Sequence, residues 1–219
     1  EPDSSGLAAW LATPRDRVGV TVAIEGGLPK RIGFATLDSV IEATWNDDVR
    51  EIVAPWFASD AAKVIADAKP QVKALARAGV ALNGLEFDPI LAGWLLRPSF
   101  PDKNLGDLVD RYLGEKLPEA DPNQLVPEND GATPGQLAWF ALRVADPLAE
   151  ELPAPVAKVL NDIELPTLRT LAAMELAGVA VSHEKLSSFS AELGTRAEGI
   201  AQEAFALTGR ELHLASPTH

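Results

Sequence analysis

The sequence predicts an α/β domain followed by an α-helical extension. Three observations predict it. Short β-branched segments crowd the N-terminal part, helical patterns interleave with them, and from Asp162 onward helical periodicity alone remains.

Residues 17–24, RVGVTVAI, read as a strand that Glu25-Gly26-Gly27 ends, and Arg31 to Ala35 returns as its hairpin partner across a glycine-containing loop. A helix follows from about Asp48 to Ala58, and Lys63 to Ala66 (KVIA) reads as a short buried strand. Pro70 begins a helix that Gly79 ends, and Val80 to Phe87 is extended. Asp88-Pro89 is a helix cap followed by proline at the first helical position. The helix it opens, ILAGWLL, is almost wholly apolar and is expected to be buried, with Arg97-Pro98 ending it. From Asn104, NLGDLVDRYLG gathers Leu105, Leu108, Val109 and Leu113 on one side of a short helix. Residues 115–132 hold three prolines and many acids and read as loop. Thr133-Pro134-Gly135-Gln136 is a capping box that starts a helix to about Leu152.

The closing stretch, Asp162 to Gly209, is a helical hairpin. Leu165, Leu168, Leu171, Leu176 and Val179 recur at helical spacing, and Gly178 stops the first helix near Ala177. Ser182 caps a long second helix with a narrow apolar seam of Leu186, Phe189, Leu193, Ile200, Ala204 and Leu207. Glu184, Lys185, Glu192, Arg196, Glu198, Gln202 and Glu203 form its solvated face, and Thr208-Gly209 ends it. A helix of this kind is expected to project from a body.

At 219 residues with 47% apolar content, the chain is long and apolar enough to bury a core. No apolar run approaches the ~20 residues a bilayer-crossing helix needs, and the start, EPDSSGLAAW, is neither a signal peptide nor a Met start. These features predict a soluble, cytoplasmic protein and are compatible with a piece cut from a longer chain. The absence of cysteine excludes disulfides and thiolate metal sites, and His183, His213 and His219 lack the spacing of zinc ligands. A net charge of −13 opposes strong autonomous nucleic-acid binding, which draws on clustered Lys and Arg. From Asp162 onward four basic residues face eight acidic ones, so neither part carries a basic stripe. Gly26-Gly27 is too little for a phosphate-binding loop, and Ser187, Ser188 and Ser190 lack a His–carboxylate pair. Trp10, Trp45, Trp56, Trp94 and Trp139 are irregularly spaced and are expected to pack in the core.

Particular residue strings add a resemblance. Ile163-Glu164-Leu165-Pro166, Leu171, Met174-Glu175, Gly178-Val179-Ala180-Val181 and, past the long helix, Leu214-Ala215-Ser216-Pro217 resemble the start of the polymerase domain in bacterial family A DNA polymerases, the DNA polymerase I family. Ser182 stands where the family usually has Asp, and both residues cap helices. Upstream, Gly79-Val80, Phe87-Asp88, Leu91, Trp94-Leu95-Leu96, Asn104 to Leu108 and Arg111-Tyr112-Leu113 resemble the family's ribonuclease-H-like 3′→5′ proofreading domain. The resemblance covers nearly the whole chain. It implies a ribonuclease-H-like exonuclease-type domain over residues 1–153, a mixed sheet with flanking helices, and the first helices of the polymerase thumb over residues 154–219.

Proofreading exonucleases hold two metal ions with about four carboxylates from three motifs. By the resemblance, the first motif falls on Thr21 to Glu25, with Ala23 in place of an aspartate and Glu25 as the surviving acid. The second falls on Asp67 to Gln71, with Gln71 in place of the metal-linked aspartate. The third places Phe140 and Val144 at its tyrosine and aspartate; Asp146 lies nearby but about 160° around a helix of ~3.6 residues per turn. Asp88 matches a family aspartate that its capping role already explains. The resemblance therefore implies a degenerate, structural proofreading-type domain with no catalytic, cofactor or metal residues of its own. The parent polymerase would use Mg²⁺, deoxynucleoside triphosphates and primer-template DNA, its acting residues lying beyond His219. Ser216 is the candidate nucleic-acid contact, with His213 where the family has a nearby Asn. Two alternatives stay open: an active nuclease using displaced acids such as Asp67 and Asp146, and a stand-alone protein-interaction module.

Overall fold

A computed structural model describes residues 4–99, 102–118 and 131–211. In chain order the elements are α1 (Ser4–Ala12), β1 (Val18–Glu25), β2 (Leu28–Ala35), β3 (Val40–Thr44), α2 (Asp47–Phe57), β4 (Lys63–Val64), α3 (Ala68–Arg77), β5 (Leu85–Phe87), α4 (Pro89–Leu96), α5 (Leu105–Leu113) and α6 (Pro134–Glu151). Then α7 (Ala154–Val159) runs through a π-helical turn, Leu160–Glu164, into α8 (Leu165–Ala177), and α9 spans His183–Thr208.

The sheet order is β3-β2-β1-β4-β5, antiparallel through β1, β2 and β3 and parallel through β1, β4 and β5. This is the mixed sheet with flanking helices that the resemblance implies. The hairpin closes tightly because Gly26 (φ 60°) and Gly27 (φ 80°) supply the two left-handed positions of a two-residue turn between Glu25 and Leu28. Strand alternation then sorts the faces. Val18, Val20, Val22, Ile32 and Phe34 are buried on one side. There Phe34 meets Trp56 edge-on at 5.3 Å and tilts against Phe57 at 5.9 Å and Trp10 at 6.0 Å, so α1 and α2 are seated by one aromatic cluster.

The opposite face takes α6 at very close range. A Cβ on Gly19 would lie 2.1 Å from the Ala138 carbonyl oxygen, and one on Gly33 would lie 2.2 Å from the Gly135 nitrogen. The helix therefore lies with its backbone directly on the hairpin. Its N-terminus is capped as expected, with Thr133 and Gln136 exchanging side chain-to-backbone hydrogen bonds, and Glu42 of β3 accepts from the Gly135 N–H at 3.1 Å.

Several expectations change. The strand β3 and helix α1 are additional elements, and of the extended segment 80–87 only Leu85–Phe87 pairs in the sheet. The apolar α4 is only partly covered: Pro89, Ala92 and Gly93 are buried while Trp94 is 49% exposed. Its composition is apolar all round, but only one side meets the body. Trp10, Trp45, Trp56 and Trp139 are partly buried against the core rather than fully enclosed. Lys63 on β4, an interior strand between β1 and β5, is completely buried: Nζ donates to the Ser59 and Ala61 carbonyls and stands 4.5 Å from the Trp56 ring. Burial pulls its pKa down to about 8.

By its contacts the chain divides into a first unit, Glu1–Leu176, and a second, Ala177–His219. Within the first unit the π turn and α8 bury Leu160, Leu165, Leu168 and Ala172. In the second unit, the Ser182 side chain caps α9 by accepting from the Lys185 N–H at 3.3 Å, and the seam residues Leu186, Phe189, Leu193, Ile200 and Leu207 are exposed.

Gly19→Ala is expected to destabilise the chain by about 3 kcal/mol, because the new methyl must displace helix backbone rather than a flexible side chain. Urea unfolding of the 219-residue chain checks this, with Gly26→Ala, which meets no atom but strains the turn, as the comparison.

Candidate functional site

The residues matched to metal-binding positions converge on the end of β1, the start of α3 and the middle of α6. In the fold, β4 pairs with β1 only at Val18 and Gly19, so beyond that point the β4-facing edge of β1 has no strand beside it. The N–H of Val22 points into that gap, and a buried donor left unpaired costs about 1–3 kcal/mol. Gln71 fills the vacancy. Its Oε1 accepts from Val22 N at 2.7 Å, while Nε2 donates to the carbonyls of Ala66 at 2.8 Å and Asp67 at 3.3 Å. The side chain is 6% exposed and uses both halves of its amide. A carboxylate could take the Val22 hydrogen bond but would face the two carbonyl oxygens with like charge.

Two other motif positions supply no anionic oxygen either. Ala23 carries a methyl group, and Val144 is fully buried in the core beside Phe140. Glu25 ends β1 with its side chain 69% exposed and pairs with Lys30 at 2.9 Å. Asp146 pairs with Arg17, which also lies 2.8 Å from Glu86. It lines a separate hollow with Arg15, Thr36 and Ser39. Asp67 borders the cleft at Gln71 in a left-handed conformation (φ 53°), and its side chain caps no helix. Glu25, Asp67 and Asp146 are thus found in three different settings. Among the described residues no three of His, Asp and Glu come together in a way that could hold a metal ion. Ala23, Gln71 and Val144 do not fit a paired divalent-ion centre.

The cleft beside Gln71 has a volume of about 450 Å³ and is lined by Thr21, Ile24, Asp67, Pro70, Lys103 and Leu137 among others. Its walls are mainly apolar, and among the described residues Asp67 is the one lining carboxylate and Lys103 the one lining cation. Ser216, the expected nucleic-acid contact, lies outside the described residues, as do His213 and His219.

Asp88 does more than cap α4. Its Oδ1 accepts from Ile90 N at 2.9 Å and from Asp67 N at 3.0 Å, and its Oδ2 accepts from Ala68 N at 2.8 Å. One carboxyl thus ties together the N-termini of α3 and α4, and so holds Gln71 at the right height against β1. Burial pushes its pKa up to about 6, against the opposing pull of those N–H groups. Sequence reasoning located Asp88 and Gln71 but missed what each holds. The available signal was local for the α4 cap and absent for the partners, which lie 20 and 21 residues away for Asp88 and 49 for Gln71.

Two predictions follow from this geometry. Gln71→Glu is nearly isosteric but turns a donor into an anion; it is expected to cost about 1–3 kcal/mol at pH 7, with the deficit shrinking as pH falls from 7 towards about 4, because burial and the two carbonyls raise the new carboxyl's pKa in the folded state. Urea unfolding at both pH values measures it. For Asp88, the folded carboxyl holds its proton up to about pH 6 while the unfolded one sheds it near ~4. The folded state therefore binds more protons across that window, and stability falls as pH rises through it. Against wild type, Asp88→Asn should gain relative stability between about pH 4 and pH 7, read from the same unfolding curves.

Comparison with known proteins fits this geometry into a lineage. The profile of the family described as "DNA polymerase I, ribonuclease H-like domain" matches residues 39–121. DNA polymerase I of Mycobacterium tuberculosis is 33% identical over 95% of this chain, and that of Mycobacterium leprae 29% identical over 98%. The chain spans only 25% and 26% of the length of those two relatives. Among solved structures, the POL domain of Pol1 from M. smegmatis, in complex with DNA primer-template and dNTP, superimposes with a TM-score of 0.82 at 29% identity. That match covers all of this chain and 38% of the M. smegmatis chain. The chain accordingly belongs with the DNA polymerase I family, carrying its ribonuclease-H-like exonuclease-type domain followed by a helical segment.

Proposed function

We propose that this chain is a structural part of a DNA-directed DNA polymerase that works in replication and repair in the cytoplasm. Residues 1–153 are a proofreading-type body without exonuclease activity, and residues 154–219 are the base of the thumb. The observation that carries this reading is the Gln71 amide, which commits its NH₂ group to Ala66 and Asp67 and its oxygen to Val22 at a position matched to a metal-binding carboxylate. A two-metal hydrolysis needs anionic ligands to offset the ions and to lower the pKa of the attacking water. Neutral and apolar side chains at Gln71, Ala23 and Val144 offer none.

Template-directed nucleotidyl transfer, with Mg²⁺ and deoxynucleoside triphosphates, then belongs to the parts of the polymerase outside this segment. Primer-template DNA is the partner of the whole protein. The M. smegmatis relative was solved with such DNA and a dNTP, which supports that assignment. The segment's own net charge of −13 supports a weak direct grip on DNA, with Ser216 as its proposed point of contact.

The test has two arms. A primer with a mismatched 3′ end, incubated with the 219-residue chain and Mg²⁺ or Mn²⁺, is expected to release no 3′ nucleotide. Release that is lost in Asp67→Asn and Asp146→Asn would establish a nuclease using displaced acids instead. The full-length gene product is expected to extend a matched primer; failure to extend, with no polymerase motif rich in Arg, Lys and Tyr in the coding sequence past His219, would leave a protein-interaction module as the better account.

A further inference from the structure

Helix α8 loses its packing before it ends. Leu165, Leu168 and Ala172 are buried, whereas every residue from Ala173 to Ala177 is exposed, Met174 by 62%. Its last turn carries no basic residue to complement the helix dipole; it carries a carboxylate, Glu175, which that dipole disfavours. A terminal turn with no buried side chain and an adverse charge should fray.

What meets it is a pair of cations on α3. Lys69 and Lys73, one helical turn apart, both reach Glu175: Lys69 Nζ lies 2.8 Å from Oε1, and Lys73 Nζ donates to Oε2. The two ammonium groups hold the Glu175 carboxyl down at about 2, so it is charged throughout the physiological range. All three side chains are partly exposed, at 39% for Lys69, 21% for Lys73 and 41% for Glu175, so mobile ions can reach them. The first unit ends at Leu176, directly after this carboxylate.

We propose that the Lys69–Glu175–Lys73 ion pair is a salt-sensitive latch on the last turn of α8. Closed, it fixes that turn to α3 in place of the missing apolar contact. Open, the turn unwinds, and the point at which the chain leaves the first unit retreats from Ala177 to about Ala173. The latch thereby sets how much of α8 stays helical without any change in the packed core.

Hydrogen exchange followed by mass spectrometry on the 219-residue chain tests this, with peptides from α8 compared against α6 as an internal control for salt effects on intrinsic rates. In about 0.05 M salt the Glu175→Gln variant should exchange its last-turn α8 amides about two- to five-fold faster than wild type, and in about 0.5 M salt the two should converge. The direction is diagnostic. Removing a negative charge from a helix C-terminus would by itself strengthen the helix, so faster exchange can come only from loss of the latch. A Lys69→Met/Lys73→Met double variant, altered on α3 alone, should reproduce the effect on α8. If both variants exchange at the wild-type rate in low salt, the proposal is wrong.

Discussion

The arrangement of the first unit depends on one hydrogen-bonding problem. The strand β1 is longer than the parallel partner beside it, so its edge past Gly19 needs something other than a strand. Gln71 supplies it, accepting from Val22 and donating to the loop that leads into α3. An amide is suited to a site with one donor and two acceptors, and an anion is not. The same demand that fixes α3 against the sheet thereby removes the charge that a divalent-ion centre would need there. Structure and chemistry compete for one side chain at this position, and in this chain structure holds it.

From that point the architecture propagates through polar ties at helix ends and apolar contact elsewhere. Asp88 joins the starts of α3 and α4, and Glu42 and the Thr133 capping box fix the start of α6. On one face of the sheet, aromatic rings around Phe34 seat α1 and α2; on the other, glycines admit α6.

Much of this was legible in the sequence where the cause is local. The Gly26-Gly27 hairpin, the caps at Thr133 and Ser182, and the Asp88-Pro89 start each state their geometry within four residues. The strand β3 was not legible, because VIEAT is held by its pairing with β2 and by the Arg31–Glu42 ion pair rather than by strong alternation of its own. Helix α1 docks through Leu7 and Trp10 with little amphipathic pattern. Composition misled at α4, where apolar residues all round suggested enclosure, yet Trp94 faces outward. At the candidate site, residue types revealed which charges were gone. They could not reveal which partners Gln71 bonds or that Lys63 is buried against Trp56, since those partners are brought together only by the fold.

The glycine seam under α6 has a further consequence. Every other amino acid carries a Cβ, and at Gly19 and Gly33 that atom would collide with main chain, which has no rotamer to yield. Tolerance to substitution at these two positions is therefore set by steric exclusion, independently of any chemistry at the cleft, and the stacking of helix on sheet is the part of the hairpin that admits least change.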